Sequence, residues 1–410
     1  MATAACGSGK SASTSATTAT PGSGGGSTGT SATTTVKVGV MTDSTGAAAS
    51  GFQGTESGIK AGIGVAATKG LKIQYVMADT QSTPAGALAA AQKLVEQDHV
   101  FAILEVSSDF YGAAQYLFQQ HIPVIGGGFD GPEWSTGALS NLFDVAGSVD
   151  YSGVSTTIGA FMKSQGVTKI GVVGYGVSAT AREAAAGAAQ SASTAGISIA
   201  YQNLNFPFGS TDVQPLAIAM KAAGVDGVYV PVVPSTSFAL YAALLALGAK
   251  PKVFLSPTGY GGDLLQSPAG VQAAQGIDFE TTAATVDLNT PGTKQFQAAL
   301  KSYANVTTIP TFSEYEAYLA VAGLTSGLLK GGASPTTSSF MTALREVTDF
   351  DGFGLYGTHT LDFSQFGNVA GSVGPGDCMY VAKLSGSTFT TISGAGPICG
   401  TRIPGLKAST

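Results

Sequence analysis

Residues 78–108 read ADTQSTPAGALAAAQKLVEQDHVFAILEVSS, and this stretch decides the fold. Thr83 followed by Pro84 predicts a helix start, because threonine caps helix N-termini and proline suits the first turn. The apolar residues from Leu88 to Val95 then fall on one helix face, and the run from Val100 to Leu104 is typical of a buried strand. The stretch therefore predicts a helix followed by a strand, which is the repeating unit of an α/β fold.

The alternation of apolar runs and helical patterns continues on both sides of this stretch. The neighbouring predicted elements are the strand 36–41, the helix 54–68, the strand 71–76, the helix 111–120 and the strand 123–125. A second series of the same kind runs from residue 151 to residue 255. This order is typical of parallel sheets with helices on both faces, so we expect two doubly wound α/β units. Later helices lack strands of their own and are expected to return to the first unit: 293–303, 313–329 and 337–347.

Composition limits the classes of function. A chain of 410 residues is long enough for two domains with substantial cores. Charged residues make up only 11%, and the net charge of −6 leaves no basic surface to neutralise a nucleic-acid backbone. The longest apolar helical stretch, Phe238 to Leu247, is too short to span a bilayer. We therefore expect neither a nucleic-acid partner nor a membrane-spanning segment in the folded body.

The first 35 residues carry two motif matches without the context that either motif needs. Ala4 to Ser11 nearly matches a phosphate-binding loop, and Gly25 to Gly29 matches the G-x-S-x-G pattern of a nucleophile elbow. Both motifs work only between a buried strand and a helix. The tract from Ser11 to Thr35 lacks apolar periodicity, so we expect residues 1–35 to be a disordered tether.

Cys6 lies in the sequence Ala4-Ala5-Cys6-Gly7, which resembles the end of a bacterial lipobox. The resemblance implies that Cys6 carries a lipid and that the sequence begins inside or just after a signal peptide. The protein would then be exported and held at the extracellular face of the cell membrane. An ordinary disordered tail is the alternative.

Cys378 and Cys399 flank two alternating stretches, Met379 to Leu384 and Thr388 to Ile392. The turn residues Ser385-Gly386-Ser387 between them predict a β-hairpin whose outer ends carry the two cysteines. The two thiols would then face each other, and a disulfide suits an exported protein. Two buried free thiols are the alternative.

Gly174 to Ala179 satisfies the G-x-G-x-x-A pattern of a dinucleotide-binding loop between a predicted strand and a predicted helix. The pattern also needs an acidic residue after the next strand to bind the ribose, and no Asp or Glu lies between Glu183 and Asp212. We interpret the segment as a sheet-edge loop and keep a dinucleotide-dependent enzyme as an alternative. His99, His121 and His359 lie in separate contexts without metal-ligand or triad spacing, so we expect no enzyme activity, no cofactor and no metal.

Four stretches together resemble the leucine/isoleucine/valine-binding family of extracellular solute receptors that serve ABC transporters. Residues 78–108 are similar to the family's strand, Pro-started helix and strand that lead to a serine-bearing loop. The other three are similar to its second ligand loop, its late Tyr-Ala helix and its last interdomain crossing: Ile122 to Glu133, Phe312 to Tyr318 and Phe353 to Phe363. The resemblance covers Val36 to about Leu384.

This resemblance implies the type I periplasmic-binding fold, in which two lobes joined by three crossovers close over a ligand. The crossings are expected near residues 146–147, 278–282 and 355–360. The first lobe would comprise 36–146 with 280–354, the second 147–279 with 355–400, and residues 401–410 would form a tail. Such a ligand lies outside the carboxyl ends of the strands, where open α/β sheets bind their ligands.

The resemblance also implies which residues contact the ligand. On the first lobe, hydroxyl and backbone N–H groups would receive a ligand carboxylate at Ser107, Ser108, Gly128, Phe129 and Asp130. On the second lobe, the matching loops carry Tyr175, Ser178, Ser235, Thr236, Thr258 and Tyr260. Phe52 in the first loop would supply an apolar wall, although an aromatic residue near a helix start also suits a core. Serine before a helix is also an ordinary N-cap, and Asp130 before Gly-Pro is also a usual turn residue.

One position departs from the family pattern. Amino-acid receptors of the family commonly hold the ligand's ammonium with a carboxylate in a Gly-Pro-Glu stretch, where this chain has Ser256-Pro257-Thr258. A buried charge without a partner is costly, so an α-amino acid would need another carboxylate, for which Asp130 is the candidate. Otherwise the solute is an amide, an aromatic acid or another small polar molecule. Trp134 is interpreted as a packing residue.

The sequence thus predicts a monomeric receptor of an ABC importer. It would capture a small polar solute, such as a branched-chain amino acid or a related compound, and deliver it to a membrane permease complex. A ligand sensor of the same fold that acts on a signalling partner is one alternative, and the dinucleotide-dependent enzyme is the other.

Overall fold

The computed structural model describes residues 34–128, 130–134, 137–146, 153–332, 334–365 and 377–410. Most of the predicted tether, including Cys6, lies outside the described residues, and so does Phe129.

The strands are β1 Thr34–Thr42, β2 Leu71–Asp79, β3 Ala102–Val106, β4 Val124–Gly126, β5 Leu142–Asp144, β6 Gly153–Ser155, β7 Lys169–Tyr175, β8 Ser198–Phe206, β9 Gly227–Tyr229, β10 Val253–Ser256, β11 Asp278–Thr281, β12 Cys378–Ser385, β13 Thr388–Thr391, β14 Ile398–Cys399 and β15 Arg402–Lys407. The helices are α1 Thr55–Thr68, α2 Pro84–Gln92, α3 Tyr111–Gln119, α4 Thr157–Ser164, α5 Ala179–Thr194, α6 Gln214–Ala223, α7 Pro234–Ala246, α8 Gly262–Leu265, α9 Pro268–Ala273, α10 Pro291–Ala299, α11 Phe312–Gly331 and α12 Thr337–Arg345.

The first sheet has the order β2-β1-β3-β4-β5, and its neighbouring strands are all parallel. Side chains alternate across it, because successive residues of a strand point to opposite faces. Val38 and Leu104 pack in the cluster that contains residues of α1 and α11, whereas Met41 and Ile103 pack with residues of α2 and α3. Helices therefore cover both faces of this sheet, as the alternating pattern predicts.

The second sheet repeats this arrangement. Its strands follow the order β13-β12-β11-β10-β9-β7-β8, and β7 to β11 are parallel while β12 runs antiparallel to β11 and β13. The five parallel strands have the order second, first, third, fourth, fifth in both sheets. Two α/β lobes with parallel sheets are thus present, and the predicted fold class is confirmed.

Three helices late in the chain complete the first lobe. α11 packs on α1, β3 and β4, α12 packs on α11, and α10 packs on α1. This confirms that the late helices return to the first unit. Thr311 and Glu314 form a capping box at the start of α11, which satisfies backbone N–H groups that the helix itself leaves without partners.

The chain leaves the first sheet after β5 and the parallel strands of the second sheet after β11. The segment predicted as the last crossing, 355–360, contacts both lobes. The Tyr356 ring lies 5.9 Å from the Phe350 ring of the first lobe, and the Tyr356 carbonyl accepts from the Tyr380 hydroxyl of β12 at 3.4 Å. Residues 366–376 lie outside the described residues.

Two short segments differ from the sequence expectation. The first helix of the second series, which is predicted to begin near residue 151, begins only at Thr157, because residues 153–155 form β6. The predicted tail at 401–410 contains β15, which pairs antiparallel with β6, and the Arg402 Nε atom lies 2.9 Å from Asp377 Oδ1. Residues 402–407 therefore belong to the second lobe. Among the described residues, no helix has both the length and the apolar character that crossing a membrane requires.

Candidate functional site

Both lobes present a topological switch point, where strand order reverses on either side of the first strand. In the first lobe this point lies between β1 and β3, and in the second between β7 and β9. The loops that leave the carboxyl ends of these strands diverge, and the crevice between them is where open α/β sheets bind ligands. The strand-end loops of both lobes are therefore the candidate ligand site.

In the first lobe, the two switch-point loops meet at the carboxylate of Asp43. The Ser107 hydroxyl donates to Asp43 Oδ1 at 2.6 Å, and the Thr80 hydroxyl donates to the same oxygen. Ser108 donates to Asp43 Oδ2 through its backbone N–H at 3.0 Å and through its hydroxyl at 2.6 Å. Asp43, Thr80 and Ser107 are fully buried. One carboxylate of the chain thus accepts four hydrogen bonds at the position predicted for the ligand.

The neighbouring donors of this lobe also bind carboxyl groups of the chain. The Ser107 N–H donates to Glu105 Oε1 at 2.6 Å, and the Gly128 N–H donates to Asp144 Oδ1 at 3.0 Å. A Cβ atom at Gly128 would lie 2.3 Å from Asp144 Oδ2, so a larger residue there would displace the Asp144 carboxyl group. Burial and then the nearby Asp130 carboxyl raise the pKa of Glu105 well above its usual value.

Asp130 binds groups of its own lobe. Its Oδ1 atom accepts from Trp134 Nε1 at 2.6 Å, and its Oδ2 atom accepts from the Tyr111 N–H at 2.8 Å. Burial and then the Glu133 carboxyl raise the pKa of Asp130 well above its usual value. Trp134 is buried and its ring lies 5.2 Å from the Phe110 ring, which agrees with a packing role.

Phe52 lies at the entrance to α1 and is buried. Its ring packs edge-to-face against Phe312 at the start of α11, with 6.1 Å between centroids. Its contact is therefore with the core of the first lobe, which was the alternative to an apolar wall for the ligand.

In the second lobe, Tyr175 and Thr236 join the two switch-point loops. The Thr236 hydroxyl donates to the Ser210 carbonyl at 2.9 Å, so the Tyr175 hydroxyl, 2.8 Å away, donates to Thr236 Oγ1. The Tyr175 hydroxyl also accepts the Val233 N–H at 3.2 Å. These bonds hold the loop after β7 against the start of α7.

The other candidates of the second lobe have separate environments. Ser178 caps α5 by accepting the Ala181 N–H at 3.1 Å, whereas Ser235 is exposed on the first turn of α7. The Thr258 hydroxyl donates to the Val232 carbonyl at 2.6 Å. Tyr260 is buried, and its ring lies 6.2 Å from Tyr315 of α11, so this side chain packs between the lobes.

Exposed apolar side chains that were not among the sequence candidates lie in or beside the strand-end loops. Val177 is 79% exposed after β7, and Phe208 is 62% exposed after β8 with its ring 4.9 Å from the Tyr175 ring. Tyr111, at the start of α3 in the first lobe, is 49% exposed. The Pro-Phe-Gly sequence at 207–209 offered a signal for Phe208, since a turn exposes the residue at its centre.

The strand-end loops of the first lobe are acidic. We define them as residues 42–54, 79–83, 106–110, 126–134 and 144–146, which contain no Lys, Arg or His. Their acidic residues are Asp43, Asp79, Asp109, Asp130, Glu133 and Asp144. These loops therefore offer a solute carboxyl groups and no basic side chain.

Cys378 and Cys399 lie directly opposite each other on β12 and β14, and a disulfide joins them. The hairpin of β12 and β13 has the predicted turn, while Cys399 lies further along the chain on a separate short strand. His359 Nε2 lies 2.8 Å from Cys399 Sγ. These three side chains are close enough to bind a metal ion, but the disulfide engages both thiols.

Comparisons with known proteins agree with this architecture. A family model described as "Periplasmic binding protein" matches residues 35–388. A solute-binding protein of an ABC transporter from R. palustris, in complex with benzoate, has a TM-score of 0.70 at 17% identity over 92% of this chain and 99% of that chain. LivJ from Streptococcus pneumoniae, a branched-chain amino acid transporter substrate-binding protein in complex with isoleucine, has a TM-score of 0.69 at 18% identity over 90% of this chain and 100% of that chain.

A leucine-binding protein LivK from Thermotoga maritima has a TM-score of 0.68 at 16% identity over 87% of this chain and 97% of that chain. Identities this low establish the shared fold, and no curated protein matches the sequence. The family and fold are those of solute-binding proteins, which are not enzymes, so the dinucleotide-dependent alternative loses its support. With a match across 35–388, the chain belongs to the periplasmic binding protein family.

Proposed function

We propose that the protein is the solute-binding receptor of an ABC importer and holds a small polar solute between its two lobes. The observation that carries this proposal is the repeated strand order, which places one switch point in each lobe. A solute between two such loop sets is surrounded when the lobes close by hinge motion at the three crossings.

The character of the loops supports this proposal. Ligand sites combine apolar walls with a few polar groups that fix orientation. The second lobe supplies the exposed Val177 and Phe208 beside the Tyr175–Thr236 pair, and the first lobe supplies Ser108 and Asp130, which are partly exposed. The solute would lie against these groups, with Ser178, Ser235 and Thr258 on the rim of the second lobe.

The partners and location follow from the same proposal. A receptor of this kind works outside the cell membrane, delivers its solute to a permease complex and needs both lobes free to dock. We therefore propose a monomer that is tethered through a lipid on Cys6, with residues 1–35 as the tether. The first lobe comprises 36–146 with 280–354, and the second comprises 147–279 with the rest of the chain after 355.

Thermal unfolding of residues 34–410 against a panel of solutes tests the proposal. The panel contains amino acids, amino alcohols, amides, aromatic acids, amines, sugars and nucleotides. A solute at about a hundredfold excess over its Kd adds about 2.7 kcal/mol to the free energy of unfolding. We expect at least one small polar solute to raise Tm, and no nucleotide to do so.

Two variants locate the bound solute. Phe208→Ala removes an exposed aromatic wall and should weaken binding of the stabilising solute about tenfold while leaving Tm of the free protein unchanged. Ile218→Ala, at a 56% exposed apolar residue of α6, is the matched control and should bind as the wild type does. A panel without any stabilising solute, or equal losses in both variants, would count against a site between the lobes.

A further inference from the structure

We propose that Asp43 occupies the position of a ligand carboxylate, so that the first lobe excludes carboxylates and accepts a neutral or cationic head group that donates hydrogen bonds. This inference rests on the proposed receptor function and names the class of its solute. Asp43 is then a specificity-determining residue.

The backbone N–H and hydroxyl groups of Ser107 and Ser108 all donate to carboxyl groups of the chain. The Ser107 N–H binds Glu105, the Ser107 hydroxyl binds Asp43, and both donors of Ser108 bind Asp43. The Gly128 N–H, the next donor on this lobe, binds Asp144. A ligand carboxylate at this position would find these hydrogen bonds already used, and carboxylates need such partners when they leave water.

Geometry makes Asp43 a close substitute for a bound anion. Its two oxygens accept hydrogen bonds from residues on two other strand-end loops, 37 to 65 positions away in sequence. Asp43 is itself 0% exposed, so the carboxylate fills the space between β1, β2 and β3 rather than projecting from it. A second carboxylate placed against the same donors would meet a like charge within a few ångströms, which is strongly unfavourable in a closed site.

The surrounding loops supply acceptors and no cation. The strand-end loops of the first lobe contain no Lys, Arg or His. Asp109 is partly exposed at the surface of these loops, and its Oδ2 atom lies 2.9 Å from the Ser108 hydroxyl. Amine, amide or hydroxyl groups of a solute are the natural complement to these oxygens.

The test compares wild type with Asp43→Ala by thermal unfolding in formate and in chloride at equal ionic strength. Removing the side chain leaves the four donors around a space of carboxylate size. Formate should therefore raise Tm of Asp43→Ala by about 2 °C or more relative to chloride, and leave wild type unchanged. Asp349→Ala, which removes an exposed carboxylate of the same lobe, is the control and should not respond. If Asp43→Ala does not fold, Asp43→Ser leaves similar space and retains one hydroxyl for the neighbouring serines.

A second arm uses matched pairs of solutes on wild type. Isoleucinol and benzylamine lack the carboxylate that isoleucine and benzoate carry. Stabilisation of wild type by either acid overturns the role of Asp43 but leaves the receptor proposal standing. An Asp43 variant with no selective response to formate also overturns it. A formate response without stabilisation of wild type by any solute of the panel supports the inference about Asp43 and counts against the receptor.

Discussion

A buried carboxyl group of the first lobe, that of Glu316, has a raised pKa. Glu316 on α11 is 6% exposed, and its Oε2 atom has no hydrogen-bond partner. Burial and then the Asp144 carboxyl raise the pKa of Glu316 from 4.5 to about 8. The folded protein therefore holds a proton on this group at neutral pH, whereas the unfolded chain releases it.

This difference predicts a specific pH dependence. Between about pH 4.5 and pH 8 the folded state binds one more proton than the unfolded state, so the free energy of unfolding falls as pH rises. Glu316→Gln removes this titration, and its Tm relative to wild type should rise steadily from pH 4.5 to pH 8. The buried amide of the variant changes Tm by an amount that does not depend on pH.

The control for this prediction is Glu346→Gln, which removes an exposed carboxyl group from the end of α12. It should show no such pH-dependent gain. A difference between Glu316→Gln and wild type that stays constant with pH would show that Glu316 is ionised in the folded protein.

At the scale of elements, the end of the chain depends on a covalent link. β12 belongs to the second sheet, while β14 and β15 follow it and pair with β12 and β6. The disulfide closes a loop with a sequence separation of 21 residues between its cysteines. Short strands such as β14 bury little apolar surface, so the cross-link is expected to supply much of the order of this region.

Replacing both cysteines by serine should lower the free energy of unfolding by about 3 kcal/mol, because a closed loop of this size restricts the unfolded chain. Urea denaturation measures the change. Dithiothreitol should produce a similar loss in wild type and no further loss in the double variant. Equal sensitivity of both proteins to dithiothreitol would contradict a structural role for the disulfide.

The elements themselves were largely readable from the sequence. Helices with clear periodicity and caps, such as α2 after Thr83, begin within a residue of the predicted position. The strands β5 and β6 are not predicted, because three residues show no period and, unlike β4, neither of them follows a predicted helix. β8 continues to Phe206 through several polar residues, which still pair with β7.

On the scale of the whole molecule, the lobes already touch near the second crossing. The Gly262 N–H of the second lobe donates to the Pro310 carbonyl, next to α11, at 3.1 Å. The Tyr260 hydroxyl accepts the Val286 N–H at 3.3 Å across the same crossing. These contacts lie beside the segments that connect the lobes. One lobe can therefore rotate relative to the other about this edge without breaking them.

A solute that stabilises the protein should therefore also close it. Small-angle X-ray scattering is expected to give a smaller radius of gyration with the stabilising solute than without it. A solute of the panel that does not change Tm is the control. An unchanged radius of gyration with a bound solute would contradict closure of the lobes.

Strand alternation, helix caps and turn residues are local properties, and they determined the fold class, the order of the elements and the position of the strand-end loops. Hydrogen-bond partners between distant residues are not local. Ser107 and Asp43 are 64 positions apart, and no pattern relates them, so only the tertiary structure decided that Asp43 accepts the donors predicted for a ligand. The same holds for Phe52 and Tyr260, because burial against α11 depends on how remote segments pack.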